Sequence, residues 1–293
     1  MRRIWLVLVL LVALASTGAA PVASAAEETG KDCGEPRLVS DIVRTGRLHA
    51  RDVSPVRSVG PAPVAPCTGV RPGAAIHIPK GDTTGLCTLN FAFIGTDALK
   101  RRHVYMGTAG HCLLAETNVD REKGEHHWAP GKGPVVNDPT GKRIGEFAYA
   151  ILSGPKDFAL IRIDYGVKLS AQMCWFGGPT GINNDLTGKT VNIHHYGHGL
   201  AVGDVLPART SVAYGMRDKN EVTALGVVIP GDSGGAAISS DGRAVGVVVS
   251  VGASFQASPL TFGTVGITRL RPQVTRAEQV LKQRLVMATA PLL

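Results

Sequence analysis

From Leu86 onward the chain breaks into short apolar or alternating runs separated by glycine, proline and other turn residues, a pattern that has room for strands and little for long helices. The runs are Thr88 to Phe93, His103 to Thr108, Arg143 to Leu152, Asp157 to Ile163, Thr190 to His195, Val222 to Ile229, Ala236 to Ser239, Ala244 to Val251 and Leu260 to Ile267. The chain's 36 glycines supply the tight turns such runs need. The spacing predicts an all-β architecture. Beyond Pro272 the pattern changes: Val274, Ala277, Val280, Leu281 and Leu285 recur at helical intervals, which predicts a C-terminal helix packing its apolar stripe on the sheet.

The N-terminal part reads differently. Arg2 and Arg3, the apolar stretch Ile4 to Ala15 and the small-residue end Ala23-Ser24-Ala25 predict a secretory signal peptide over 1–25. That 12-residue stretch is short of the roughly 20 apolar residues a spanning helix needs. No later stretch is long enough, so the mature chain is expected outside the cytoplasm, secreted and free of the membrane once the signal is cleaved. Residues 26–80 are polar and dotted with proline, and Val59 to Pro66 reads Val-Gly-Pro-Ala-Pro-Val-Ala-Pro, which predicts an extended linker or propeptide. Val39 to Leu48 has the pattern of a short amphipathic helix inside it. Residues 81–293 then form the expected folded domain. The net charge of +8 does not arise from a Lys/Arg run interleaved with aromatics, which argues against nucleic acid as a partner.

The segment Gly231-Asp232-Ser233-Gly234-Gly235 places a hydroxyl between glycines that let backbone amides approach a reacting carbonyl. A serine hydroxyl is a poor nucleophile until an imidazole takes its proton, and Thr108-Ala109-Gly110-His111-Cys112 offers one. Asp157 opens an apolar run, at the edge of which its carboxylate can orient a buried histidine. Asp164 is the runner-up, but it lies at what reads as a strand exit before Tyr165-Gly166. His194-His195-Tyr196-Gly197-His198 and His126-His127 invite a metal reading, yet adjacent residues on a strand point to opposite faces, so no metal site is expected there. The chemistry requires no cofactor.

The order His, Asp, Ser and these three segments resemble the trypsin/chymotrypsin family of serine peptidases, in particular its bacterial streptogrisin-like branch, over roughly Leu86 to Arg284. The resemblance implies a chymotrypsin-like double β-barrel with a C-terminal α-helix and a cleft between the barrels. It implies His111 as general base, Asp157 as its orienting carboxylate, Ser233 as nucleophile, and the amides of Gly231 and Ser233 as oxyanion hole. A Cys87–Cys112 disulfide would staple the histidine loop, and Cys174 would pair with Cys67, leaving Cys33 free or intermolecular. Ser250 would stand beside the triad aspartate, with Val251 and Gly252 offering backbone to an extended peptide substrate. Val227, six residues before the nucleophile, would floor the primary pocket and favour apolar side chains. Val249 stands where the glutamate-specific branch carries histidine.

The implied activity is that of a secreted endopeptidase. An esterase using the same triad and a non-catalytic binding module on a peptidase scaffold are the alternatives. Two departures stand out. No activation sequence precedes the domain, so Asp232 lacks the freed N-terminus that pairs with it in much of the family and needs another internal partner. The cysteine commonly found just before the serine loop is also missing from Val227-Val228-Ile229-Pro230.

Overall fold

A computed structural model of the chain describes residues 36–48, 69–114, 124–184, 191–198, 207–251 and 263–292, all within one compact unit, Asp32–Leu293. The expected signal segment, Val59 to Pro66, Cys33, Cys67 and Gly252 lie outside the described residues, as do the side chains of Ser250 and Val251.

The described chain starts with β1 (Arg37–Leu38) and α1 (Val39–Thr45). A first sheet is then built from β2 (Ala75–Lys80), β3 (Thr83–Thr88), β4 (Ala92–Asp97) and β5 (Arg102–Thr108). After the single turn α2 (His111–Leu114) it continues with β6 (Gly124–His127), β7 (Val135–Asn137), β8 (Arg143–Ser153) and β9 (Lys156–Ile163). Its hydrogen-bonded order runs β4-β5-β9-β8-β7-β2-β3. Because β3 continues into β4 through Leu89, Asn90 and Phe91, the two ends of that order belong to one bent strand, and the sheet closes on itself. Its largest fully buried side chains are Phe91, Phe93, Tyr105, Phe147, Tyr149 and Phe158. Closure removes the sheet edges that would otherwise present unpaired backbone groups.

β10 (Lys168–Leu169) pairs with β1 and leads to the second barrel. This consists of β11 (Gly181–Ile182), β12 (Val191–Tyr196), β13 (Ala208–Asp218), β14 (Glu221–Leu225), β15 (Ala236–Ser239), β16 (Arg243–Val251) and β17 (Thr264–Arg269). The order β16-β15-β12-β13-β14-β17 returns to β16, a closed ring, with β11 added in parallel outside it. Its core is made of small and β-branched side chains, among them Ile193, Ala213, Val222, Ala224, Val245, Val265 and Ile267. The fold is the chymotrypsin-like double barrel.

Two expectations need correction. The C-terminal helix, α3 (Leu270–Leu281), is present and packs on β16, but Leu285 is not part of it. The chain leaves α3 at Lys282 and forms β18 (Gln283–Met287), which pairs with β4 of the first barrel. Leu285 and Met287 are buried while Arg284 and Val286 are exposed, so the period over these residues is two. The sequence pattern blended this alternation into the preceding helix because Leu285 also satisfies an i+4 spacing from Leu281.

The boundary at residue 80 also falls inside the folded body. β2 pairs along its whole length with β3 and touches β7 at His77 and Asn137, so residues 75–80 are a barrel strand. Upstream of it, α1 forms where the amphipathic pattern predicted a helix. Val39 and Ile42 are fully buried, Val39 N–H donates to Val167 O at 2.9 Å, and Arg102 Nη1 donates to the Val43 and Arg44 carbonyls at the helix end. These residues are part of the core and no tether. Ile42→Ala should therefore destabilise the protein by about 2–5 kcal/mol, the cost of a large-to-small change at a closed core site. A denaturant midpoint unchanged from the parent protein would show that 36–48 is dispensable.

Candidate active site

The strand β5 ends at Thr108, and Ala109-Gly110 carry the chain into α2, whose first residue is His111. Asp157 is the second residue of β9, in the β8–β9 hairpin that packs beside it. One carboxylate serves the histidine twice: the His111 backbone N–H donates to Oδ1 at 2.9 Å, and His111 Nδ1 lies 2.6 Å from Oδ2. A carboxylate has only acceptors to offer, so Nδ1 carries the proton and Nε2 is left with a lone pair. Asp157 is buried, its side chain 8% exposed, while the imidazole is 24% exposed. The runner-up, Asp164, is committed at the surface to Arg143 Nε at 2.9 Å.

Ser233 sits in a loop whose peptide groups are held almost without remainder. Asp232 N–H donates to Ile229 O, Gly234 N–H to Val248 O and Gly235 N–H to Asp232 O. Within 231–235, the N–H groups of Gly231 and Ser233 are the two without an acceptor among the described residues. Orphaned donors at buried backbone are uncommon, and a pair of them in one loop is what a developing oxyanion needs. Gly234 has φ +91, and a Cβ there would meet Thr108 Oγ1 at 2.2 Å and Thr88 O at 2.3 Å. Only glycine lets this loop rest directly on the first barrel.

Asp232 supplies the missing piece from the sequence. Its carboxylate lies between two nitrogens of one guanidinium: Arg209 Nη2 donates to Oδ1 at 2.7 Å, and Nη1 is 2.7 Å from Oδ2. Ile229 N–H adds a bond to Oδ2 at 2.9 Å. Arg209, on β13, is thus the internal partner. No sequence signal singled it out, because it is an isolated arginine in a weakly patterned strand.

The Cys87–Cys112 disulfide is present and spans 25 residues. Cys174 is also disulfide-bonded, to a cysteine outside the described residues. Both sulfurs of the first bridge lie within 4.8 Å of a His111 ring nitrogen, a donor set that could suggest a metal site. Metals are held by thiolates, and these sulfurs are bonded to each other. His194 and His195 point to opposite sides of β12. His194 contacts Thr210 and Ser240 hydroxyls and His195 the Ser211 hydroxyl. Burial, followed by the charges of Arg209 and His194, pushes the His195 imidazole down to about 3, so it stays neutral beside the guanidinium.

The primary pocket is where the expectation fails. Val227 is 64% exposed, so it is no enclosed floor. The run Val222 to Ile229 also stops being strand at Leu225. Ser250 and Val251 lie on β16 with Gly266 and Val265 as partners.

No family model matches the sequence, and no curated protein matches it. Solved structures do resemble it. They include a Nocardiopsis protease (19% identity, 74% of this chain and 98% of that one, TM-score 0.47). A Cellulomonas bogoriensis chymotrypsin is similar over 75% of this chain and 99% of its own at 19% identity and the same score, 0.47. A glutamic acid-specific serine protease described as using a histidine triad in substrate binding matches at 18% identity over 75% of this chain and 100% of that one, with a TM-score of 0.46.

Breaking the Arg209–Asp232 pair tests how the loop is held. Removing one member of a buried pair strands the other charge, so Arg209→Met should cost about 3–5 kcal/mol. Adding Asp232→Asn should return part of that loss, read from denaturant midpoints. A single mutant as stable as the parent would show that Asp232 is neutralised by another group.

Proposed function

We propose that this protein is an exported serine endopeptidase that cleaves peptide bonds through an acyl-enzyme. The observation that carries the reading is the pair His111–Asp157 at 2.6 Å, with Nε2 left as the base, next to a serine loop that leaves two amides unsatisfied. Ser233 Oγ attacks the scissile carbonyl carbon as its proton passes to His111 Nε2, and the new oxyanion accepts hydrogen bonds from Gly231 and Ser233 N–H. The C–N bond then breaks, the electrons of that bond leaving on nitrogen as His111 Nε2 returns its proton to the amine. Water, deprotonated by the same nitrogen, attacks the ester carbonyl and releases the acid and Ser233. Asp157 holds the tautomer throughout and favours the imidazolium that forms.

The substrate is a peptide bound in extended form along β16 near Ser250, Val251 and Gly252. With Val227 set aside, the preference for an uncharged apolar side chain rests on another observation. No residue from Ala244 to Thr268 carries a charge, nor does any from Gly226 to Pro230. A substrate Arg, Lys or Glu bound against these segments would be desolvated without a partner, at a cost of several kcal/mol. Export is supported by the Arg2-Arg3 and Ile4 to Ala15 pattern and by disulfides, which persist in oxidising compartments.

A fluorophosphonate probe and a mixed peptide library applied to the purified chain test the reading together. The probe should label the parent protein and fail on Ser233→Ala. His111→Ala should lower kcat on the order of 10⁴-fold, because the three groups act as a unit. Library cleavage should follow Leu, Met, Phe or Ala. Peptide hydrolysis by Ser233→Ala at the parent rate would overturn the mechanism, and dominant cleavage after Arg, Lys or Glu would overturn the specificity.

A further inference from the structure

The carbonyls of the serine loop are held by the other barrel. Thr88 Oγ1 donates to Gly231 O at 2.7 Å, and Thr88 N–H donates to Ser233 O at 2.8 Å. Asn90 Nδ2 donates to Gly234 O at 3.0 Å. Both side chains are fully buried, and both belong to the bend by which β3 becomes β4. They are themselves fixed: Thr108 Oγ1 donates to Thr88 O at 2.9 Å, Asn90 Oδ1 accepts from Phe91 N–H at 2.8 Å, and Asn90 N–H donates to Gly107 O at 2.7 Å. A Cβ on Gly107 would stand 1.8 Å from Asn90 Oδ1, so β5 makes room for this side chain.

The Gly231 and Ser233 carbonyls are separated only by the φ and ψ of one residue from the N–H groups of those same residues, the two in 231–235 without an acceptor among the described residues. Holding such a carbonyl fixes the peptide plane that follows and so limits the torsions that aim the amide before it. A second link runs through covalent bonds: Thr88 follows Cys87, whose disulfide partner Cys112 follows His111.

We propose that Thr88 and Asn90 are positioning residues, which set the direction of the Gly231 and Ser233 amides and tie that direction to the placement of His111. They touch no reacting atom and act through the serine loop. The inference rests on the peptidase reading above. It says that the first barrel, which supplies the base, also tunes the oxyanion hole of the second.

Thr88→Val keeps the shape and removes the hydroxyl, leaving Gly231 O without its donor. Removing an oxyanion donor outright costs about 10²–10³-fold in kcat, so mis-aiming one should cost somewhat less, on the order of 10- to 100-fold, with KM nearly unchanged. Affinity for a peptide boronate, which mimics the tetrahedral species, should fall by a similar factor, while affinity for the product peptide should not. Thr88→Ser restores the hydroxyl and should recover most of both losses. Asn90→Ala should act in the same direction, and thermal unfolding of each variant shows the folded fraction. Parent-like kcat and boronate affinity in folded Thr88→Val and Asn90→Ala would overturn the proposal while leaving the peptidase reading intact. A parent protein that neither hydrolyses peptides nor takes up a fluorophosphonate would overturn that reading and this inference with it.

Discussion

One bent strand, from Thr83 to Asp97, is the constraint on which the rest of the molecule depends. A sheet can close only if its first and last members meet, and here they meet because they are the same piece of chain, pairing with β2 before the bend and with β5 after it. At the bend Leu89 keeps backbone bonds to Gly73 and Ala74, and Asn90 and Phe91 keep theirs to Gly107 of β5. Thr88 N–H and the side chains of Thr88 and Asn90 are turned instead to carbonyls of the serine loop in the second barrel. The same strand carries Cys87 and, farther along, accepts β18 at its outer edge. Barrel closure, the histidine loop, the serine loop and the C-terminus thus share one element.

Two buried carboxylates, Asp232 and Glu146, are each met by two partners. Asp232 has a guanidinium and a backbone amide, and Glu146 has Arg162 Nη1 at 2.7 Å and Gly131 N–H at 2.6 Å. Burying an ion pair gains little over an apolar pair of the same volume, so its value lies in direction. Asp232 holds the loop of Ser233 in one orientation, and Glu146 ties β8 to β9, the strand that carries Asp157. At the surface, Glu125 accepts from Tyr149 Oη and from Arg276, joining α3 to the first barrel. Arg276 holds the Glu125 carboxyl below its ordinary range, and burial with that neighbouring carboxylate raises the Tyr149 phenol.

What the sequence made legible follows from how strongly each element was patterned. β15, β9 and β16 were predicted to within a residue at most ends, since their runs are apolar and bounded by turns. β13, eleven residues long, went unseen because its alternation is inverted. The small Ser211 and Ala213 face inward, while Val212 and Tyr214 are exposed. A pattern search for apolar residues inside a barrel misses a strand that fills a crowded interior with a hydroxyl and a methyl. His111, Asp157 and Ser233 stood out in the sequence because their chemistry is rare in combination, and the structure brings the first two into contact. Arg209, Thr88 and Asn90 were not, since their roles exist only where strands distant in sequence meet. Val227 failed for a related reason: a count of six from the serine carries no information on how the loop between them bends.

The buried partner of Asp232 also settles when such a site can come into being. In a chain whose site waits for a new N-terminus, synthesis and competence are separate events, and a cut joins them. Here the cation that completes the loop lies 23 residues upstream on a strand of the same barrel. The loop therefore takes its shape as the second barrel closes, because the cation that meets Asp232 arrives with a strand of that barrel.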